Sequence, residues 1–380
     1  MDRKNTESYT LLIGPKSPPP TGQSVAFDML IEGLSGMRRF EMVDLAERNV
    51  RRDAQFSLNR ALSMLGIIWD VWRKSRKCQV VYLQIAQSRW GFIRDAIIIL
   101  IARINRCRVV AHLHGGGYAE FYSSLPPPIR GLIRFTLRHI DRLIVLSDGL
   151  RSNFAFMGED YVERLRVVPN ATPVPIGAPK QAPHESLRLL YLSNLLVEKG
   201  YFDCIDALPH IQRMLPDTKI ELVLAGAFLL GADDYDSVEA LMIETRKRVR
   251  YMGLEKHVRF AGVVTDDKKV ALLDESDLLL LPSYYRNEGQ PISVIEGLAR
   301  GTPVIVTAWR GIPEILGTKE CGTIVPVMTP IAIAEAAVEL FRDKDKYEQY
   351  SKNACARAEH FAVERYVSSL VGVCDEMLVQ

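Results

Sequence analysis

Short runs rich in Val, Ile and Leu recur along this chain, each followed by a longer stretch with helical spacing, and such alternation demands parallel sheets joined by crossover helices. In the first half the expected strands are Tyr9–Ile13, Phe40–Val43, Gln79–Ile85, Arg108–Leu113, Arg142–Leu146 and Leu165–Val168. In the second half they are Arg188–Leu192, Lys219–Ala225, Val258–Val263, Asp277–Leu281, Pro303–Thr307 and Thr323–Val325. At 380 residues the chain is too long for one ordinary core. Pro173, Pro175 and Pro179 exclude both helix and central strand between the two series. The expected organisation is therefore an α/β fold: a Rossmann-like lobe over 1–175, a linker over 176–187, a second Rossmann-like lobe over 188–345, and helices over 346–380.

Charge separates along the same division. Through Lys180 the chain holds 26 Lys and Arg against 16 Asp and Glu, and beyond it 22 against 30, although the whole carries only +2. A basic first lobe attracts anionic partners: nucleic acid, phosphates or a membrane surface. The six cysteines, at 78, 107, 204, 321, 355 and 374, have no C-x-x-C spacing and suit reduced thiols in a cytoplasmic protein. The N-terminus, Met1 to Thr10, is polar, and the longest apolar run, near Ile97–Ile101, is bracketed by Arg94, Asp95 and Arg103, so no segment reads as a signal peptide or a membrane span.

The segment from Leu281 to Ile305 carries the most chemistry. A strand ends near Ser283, a loop holds Glu288 and Gly289, and Pro291 suits the first turn of a helix, where its missing N–H is not needed. The amides and positive dipole end of that helix make a diphosphate site at the carboxyl ends of the strands, where open α/β sheets bind ligands. Glu288 before the helix and Glu296 within it can accept hydrogen bonds from hydroxyls on either side of a diphosphate; in isolation both acids read equally well as surface charges.

With its spacing, the segment resembles the E-x7-E signature of retaining GT-B glycosyltransferases, specifically glycosyltransferase family 4, whose members make bacterial polysaccharides and glycolipids. Other pieces follow in order from about residue 10 to 345. Pro20-Thr21-Gly22-Gln23 resembles the family's N-terminal glycine loop, Leu113-His114-Gly115-Gly116 its His-Gly turn, Leu143 to Ser147 its buried strand and serine, and Val168-Pro169-Asn170 its Pro-Asn junction. Tyr191 to Gly200, with Asn194 and Lys199, resembles the strand and Lys-Gly loop that opens the second domain. The resemblance implies two Rossmann-like domains facing a central cleft, with helices over 346–380 returning to brace the first, and with Lys199, Glu288 and His114 as catalytic residues: Lys199 on the diphosphate, Glu288 on the transferred sugar, His114 at the sugar or its reactive face. Glu296 would take the ribose, Gly289, Gln290 and Pro291 the phosphates, Asn194 would join the donor site, and the Gly22 loop would approach the donor phosphate or the acceptor. Relatives often carry Gly-Arg-Leu where this chain has Ser193-Asn194-Leu195, so Asn194 offers no charge, and Arg286 and Arg310, which flank the donor segment, are candidate substitutes.

The implied chemistry is transfer of a hexose from a UDP- or GDP-linked sugar with anomeric retention, through departure and attack on one face, without a protein nucleophile, cofactor or metal ion. No D-x-D motif is placed to bridge a metal to a diphosphate: Asp233, Asp234 and Asp236, and likewise Asp266 and Asp267 before a lysine pair, read as solvated turns. An NAD-dependent enzyme lacks its G-x-G-x-x-G fingerprint here. A nonhydrolysing sugar-nucleotide epimerase shares the two-lobe architecture but lacks its pattern of acids and histidines, and an inactive nucleotide-sugar-binding scaffold fits poorly with the retained Glu288, Glu296, Lys199 and His114.

The expected acceptor is a glycan or a polyprenyl-diphosphate-linked glycan, with a soluble acceptor as the alternative. Arg130, Arg134, Arg138 and Arg142 recur every four residues on an expected helix, with Leu132, Ile133, Phe135, Leu137 and Ile140 on its other faces. The basic run Arg73-Lys74-Ser75-Arg76-Lys77 follows Trp69 and Trp72, and Trp90 and Phe92 add apolar surface. This pattern suits peripheral attachment to the inner, anionic face of the cell membrane; no recognition motif for nucleic acid accompanies the charge.

Overall fold

The computed structural model describes residues 9–18, 20–46, 58–231 and 235–379. It divides into two compact units, Met1–Ala171 with Val363–Gln380, and Thr172–Ala362.

The first unit is built on a six-stranded parallel sheet: β1 (Tyr9–Gly14), β2 (Phe40–Asp44), β3 (Cys78–Ile85), β4 (Arg108–Leu113), β5 (Arg142–Val145) and β6 (Leu165–Val167). Its order is β2-β1-β3-β4-β5-β6. That is the flavodoxin-like member of the doubly wound class, with its switch point between β1 and β3, so "Rossmann-like" holds for this unit only in the broad sense. Central strands buried on both faces need continuous apolar runs, and β1 supplies Leu11, Leu12 and Ile13, all within 2% of full burial. Helices Leu58–Ser75, Arg89–Ile104 and Pro127–Leu137 carry the chain from β2 to β3, β3 to β4 and β4 to β5. Right-handed crossovers in one direction put all three on one face, and the reversed step from β1 to β2 puts helix Gly22–Leu34 on the other. There it packs against helix Val363–Val379, which lies on β3 and β4.

The second unit holds β7 (Ser186–Leu192), β8 (Lys219–Ala225), β9 (Val258–Gly262), β10 (Leu278–Leu281), β11 (Val304–Thr307) and β12 (Gly322–Val325), all parallel, in the order β12-β11-β10-β7-β8-β9. Counted from its own first strand, this is the Rossmann order, and the direction of winding reverses between β7 and β10. The two six-stranded sheets establish the expected two-domain α/β fold.

The observed strands lie within two residues of those expected. The passages between units differ. Residues 176–187 do not form a free tether: Gly177 N–H bonds to Ala299 O at 2.7 Å, and Lys180 Nζ donates to Leu273 O and Ser276 O at 2.5 Å, lining this stretch onto the second unit. Helix Lys344–Ala358 also stays there, because Tyr347 OH reaches Asp277 O and Ser351 Oγ reaches Gly301 O. Only residues from Val363 onward belong to the first unit. Arg142 is another correction: it opens β5 and does not continue the Arg130–Arg138 helix, which ends at Leu137, and Glu376 accepts from it at 3.0 Å.

Candidate donor site

The chemistry of the second unit gathers at the reversal point. β7 and β10 are neighbours, so the segments leaving their carboxyl ends, Ser193 to Gly200 and Pro282 to Gly289, run side by side. Lys199 closes a 3-10 turn, Val197–Lys199, and Gly200 follows with φ +79°. A Cβ on Gly200 would stand 2.3 Å from Pro282 O, so only glycine allows the approach. Tyr284 N–H bonds to Glu198 O at 2.8 Å and ties the segments together.

Lys199 and Glu288, 89 residues apart in sequence, therefore meet: Nζ lies 3.3 Å from Glu288 Oε2, 3.2 Å from Ser193 Oγ and 5.6 Å from the centre of the Tyr285 ring. Ser283 Oγ donates to the same carboxylate oxygen at 2.9 Å, and Glu288 is buried. The loop is pinned from β11: Thr307 Oγ1 bonds Ser283 O, Trp309 Nε1 donates to Tyr285 O, and Gly311 N–H to Gly289 O. A charged pair this enclosed is set in place before any ligand arrives.

Gly289, Gln290 and Pro291 are buried and lead into helix Ile292–Ala299, with Pro291 at its N-cap, one position ahead of the first turn expected for it. Glu296, one turn along, is 4% exposed and accepts from Lys269 Nζ at 2.5 Å. Burial raises its carboxyl above the ordinary range, and the Lys269 ammonium pulls it back down. Sequence reading missed Lys269. Asp266 and Asp267 begin helix Asp266–Glu275 instead of forming a turn, and on that helix Lys269 shares a side with buried Leu272 and Leu273. Helical spacing to those leucines was the available signal. Asp233 and Asp234 lie outside the described residues.

Asn194 is half-buried, and its carbonyl accepts from Tyr191 OH at 3.1 Å. The backbone there is crowded, since a Cβ on Gly226 would fall 1.9 Å from Ser193 O. Arg286 is exposed, whereas Arg310, at φ +50°, stacks over Trp309 at 5.4 Å in the segment that anchors Gly289.

His114 and Gly22 belong to the first unit, after β4 and β1. Thr21 caps the helix that Gly22 begins, in a reciprocal box with Ser24, and Gly22 is exposed. Gln84 Nε2 stands 3.0 Å from His114 Nε2, and Asn170 Oδ1 stands 3.2 Å from His114 Nδ1. With the two amides oriented this way, Gln84 donates to Nε2 and Asn170 accepts from Nδ1, the pattern that suits a neutral ring with its proton on Nδ1. Burial lowers its pKa to about 4, partly opposed by the bond to Asn170. Two segments quoted separately from the sequence, the His-Gly turn and the Pro-Asn junction, thus meet in one hydrogen bond.

Residues 177–357 match the family model described as Glycosyl transferases group 1. The chain is 30% identical over 237 residues to the phosphatidyl-myo-inositol mannosyltransferase of Mycobacterium leprae, covering 61% of this chain and 56% of that one. It is 28% identical over 254 residues to the GDP-mannose-dependent alpha-(1-6)-phosphatidylinositol monomannoside mannosyltransferase of Mycobacterium tuberculosis, covering 63% and 62%. The alignments thus span less than two thirds of these relatives' own lengths. Among solved structures it resembles Anabaena Alr3699/HepE in complex with UDP and glucose, with a TM-score of 0.73 at 18% identity over 97% of this chain and 100% of that one. Sucrose-phosphate synthase from Thermosynechococcus elongatus gives 0.71 at 17%, over 98% and 99%. The family model covers just under half of this chain and the mannosyltransferase alignments part of it, each a likeness to glycosyltransferases, and the solved neighbours share the two-domain fold.

Proposed function

We propose that this chain transfers a hexose from a nucleoside-diphosphate sugar to a glycan or lipid-linked glycan, with retention at the transferred carbon and without a metal ion, as a family 4 enzyme of surface polysaccharide or glycolipid synthesis. The observation that carries the reading is the meeting of Lys199 and Glu288 where a Rossmann-ordered sheet reverses, with Glu296 one turn into the adjoining helix. On donor binding the Lys199 ammonium turns from Glu288 to the diphosphate, where it stabilises the negative charge that grows on the leaving group. Glu288 is then released to accept from hydroxyls of the sugar, and Glu296 takes the ribose. Gly289, Gln290 and Pro291 present the helix end to the phosphates. His114, neutral and held on both sides, acts by hydrogen bonding and shape, not by proton transfer.

The relatives' GDP-mannose and the UDP bound in solved neighbours make both nucleotides the donors to test. Thermal melts with UDP, GDP and their sugars should show stabilisation by one nucleotide, absent in Glu296→Ala, and NMR of the product should show an unchanged anomer. If no nucleotide raises the melting temperature at saturating concentration, the reading fails; an inverted anomer removes retention alone.

A further inference from the structure

Helix Arg89–Ile104 has two opposite apolar sides, with Arg89, Arg94 and Arg103 between them. Phe92, Ile98, Ile99, Ile101 and Ala102 bury one side on the sheet. On the opposite side Trp90, Ile93, Leu100 and Ile104 are exposed, Leu100 by 53% and Ile104 by 57%, with half-buried Ile97 completing the spacing of three and four that makes one stripe. A surface helix ordinarily has one apolar side, turned to the core; this one has two, and the described residues cover only one of them. Both helices it touches continue the pattern. Helix Leu58–Ser75 exposes Leu65 and Trp69, and helix Pro127–Leu137 exposes Leu132 and Phe135. Phe92, expected to add apolar surface, is buried, and of the apolar residues expected on the other faces of the arginine helix Leu132 and Phe135 are exposed. Contiguous apolar surface rimmed by charge marks an interaction site.

The rim decides what covers it. Arg76, Lys77, Arg106 and Arg138 are exposed around the three helices, and Arg73 is exposed beside Asp70. Acids are scarce: helix Pro127–Leu137 has none, and Asp95 of the central helix is buried, accepting from Ala86 N–H. A second copy of this chain, paired through the same face, would set basic rim against basic rim. Nucleic acid offers no partner for an aliphatic stripe. No helix among the described residues is long and apolar enough to cross a membrane. We propose that this three-helix face lies in the surface of an anionic phospholipid bilayer, with the stripe from Trp90 to Ile104 inserted among the acyl chains and the arginines and lysines at the headgroups. The proposal deepens the lipid-linked reading of the acceptor and moves the attachment from the arginine helix to the apolar stripe. Lys74, part of the expected basic cluster, donates to Met42 O at 2.6 Å instead.

The test is flotation of the full chain with phosphatidylcholine vesicles with and without phosphatidylglycerol, alongside tryptophan emission. Flotation only with the anionic vesicles, a blue shift of emission, and a loss of binding of about tenfold or more in Leu100→Glu/Ile104→Glu are expected. Donor hydrolysis in solution by that variant should stay within twofold of the parent. Should the double variant melt early, Trp69→Phe and Trp90→Phe provide the second measure, each removing part of the blue shift. A chain that ignores anionic vesicles, flotation unaffected by the glutamates, or a dimer that the glutamates break without any flotation overturns the proposal. Vesicle binding by a chain that takes no nucleotide would instead count against the enzymatic reading alone.

Discussion

Removing either member of the Lys199–Glu288 pair strands its partner in a nearly closed site, so Glu288→Ala and Lys199→Ala should each lower stability by on the order of 2 kcal/mol. A solvent-lined position would have left the fold untouched. Glu288→Gln keeps an acceptor for Ser283 Oγ and should melt close to the parent while losing about 100-fold or more in transfer rate; rates within a few-fold would remove Glu288 from the site. Lys269 sets the state of Glu296. Burial already raises that carboxyl, so Lys269→Met raises it further, and the proton gained is lost only as pH rises through the new value. The variant's stability deficit should therefore be smallest at acid pH and grow toward neutrality, and its nucleotide affinity should fall about tenfold at pH 7. A pH-independent deficit, measured by melts and titration calorimetry, would show that the pair does not govern Glu296. His114 is a base whose pKa falls to about 4. It should remain neutral, protonated on Nδ1, in NMR spectra down to about pH 5, and stability tied to it should be lost as pH drops from its unfolded value toward 4. An imidazolium at pH 6 would contradict the Gln84 and Asn170 geometry.

At the scale of elements, the strand ends do the positioning, and glycines set how closely they pass. Gly200→Ala would force a Cβ into Pro282 O at a positive φ, pushing apart the segments that bring Lys199 to Glu288. A loss of about 2 kcal/mol or more is expected, with transfer falling together with stability; a variant with the parent's melting temperature would deny the close approach. The strands were legible because buried parallel strands leave continuous apolar runs such as Leu278–Leu281, and Glu288 and Glu296 drew notice because both fall in one short segment. What escaped depended on packing between distant segments. Nothing local distinguishes Arg142 opening a strand from Arg142 extending a row of arginines, and the four-residue spacing suggested the row. The exposed side of helix Arg89–Ile104 is as apolar as its buried side, so its sequence gave no cue to which face meets the sheet. The order of strands in the first sheet depends on which neighbour β1 takes, and local pattern is blind to that choice.

In the whole molecule, the chain leaves the first unit at Ala171 and returns at Val363. The returning helix is built into that unit: Tyr366 OH bonds Ala26 O, Arg38 pairs with Asp375, and the Glu376 carboxyl is lowered by its bonds to Arg166 and Arg142. A chain ending at Ala362 would uncover β3 and β4, and increased dye binding to exposed apolar surface should report it; unchanged dye binding would show that the helix is dispensable. The separation of charge follows the units, with the basic one carrying the apolar three-helix face and the acidic one carrying Lys199, Glu288 and Glu296. The central claim is that this acidic unit handles a nucleoside-diphosphate sugar. It is tested most directly by incubating the full chain with UDP-glucose, UDP-galactose, UDP-N-acetylglucosamine and GDP-mannose and measuring release of free nucleoside diphosphate without acceptor. Slow release from one donor, abolished in Glu288→Gln and in Lys199→Ala, is the expected result. Release from none of them, or release that persists unchanged in both variants, would contradict it.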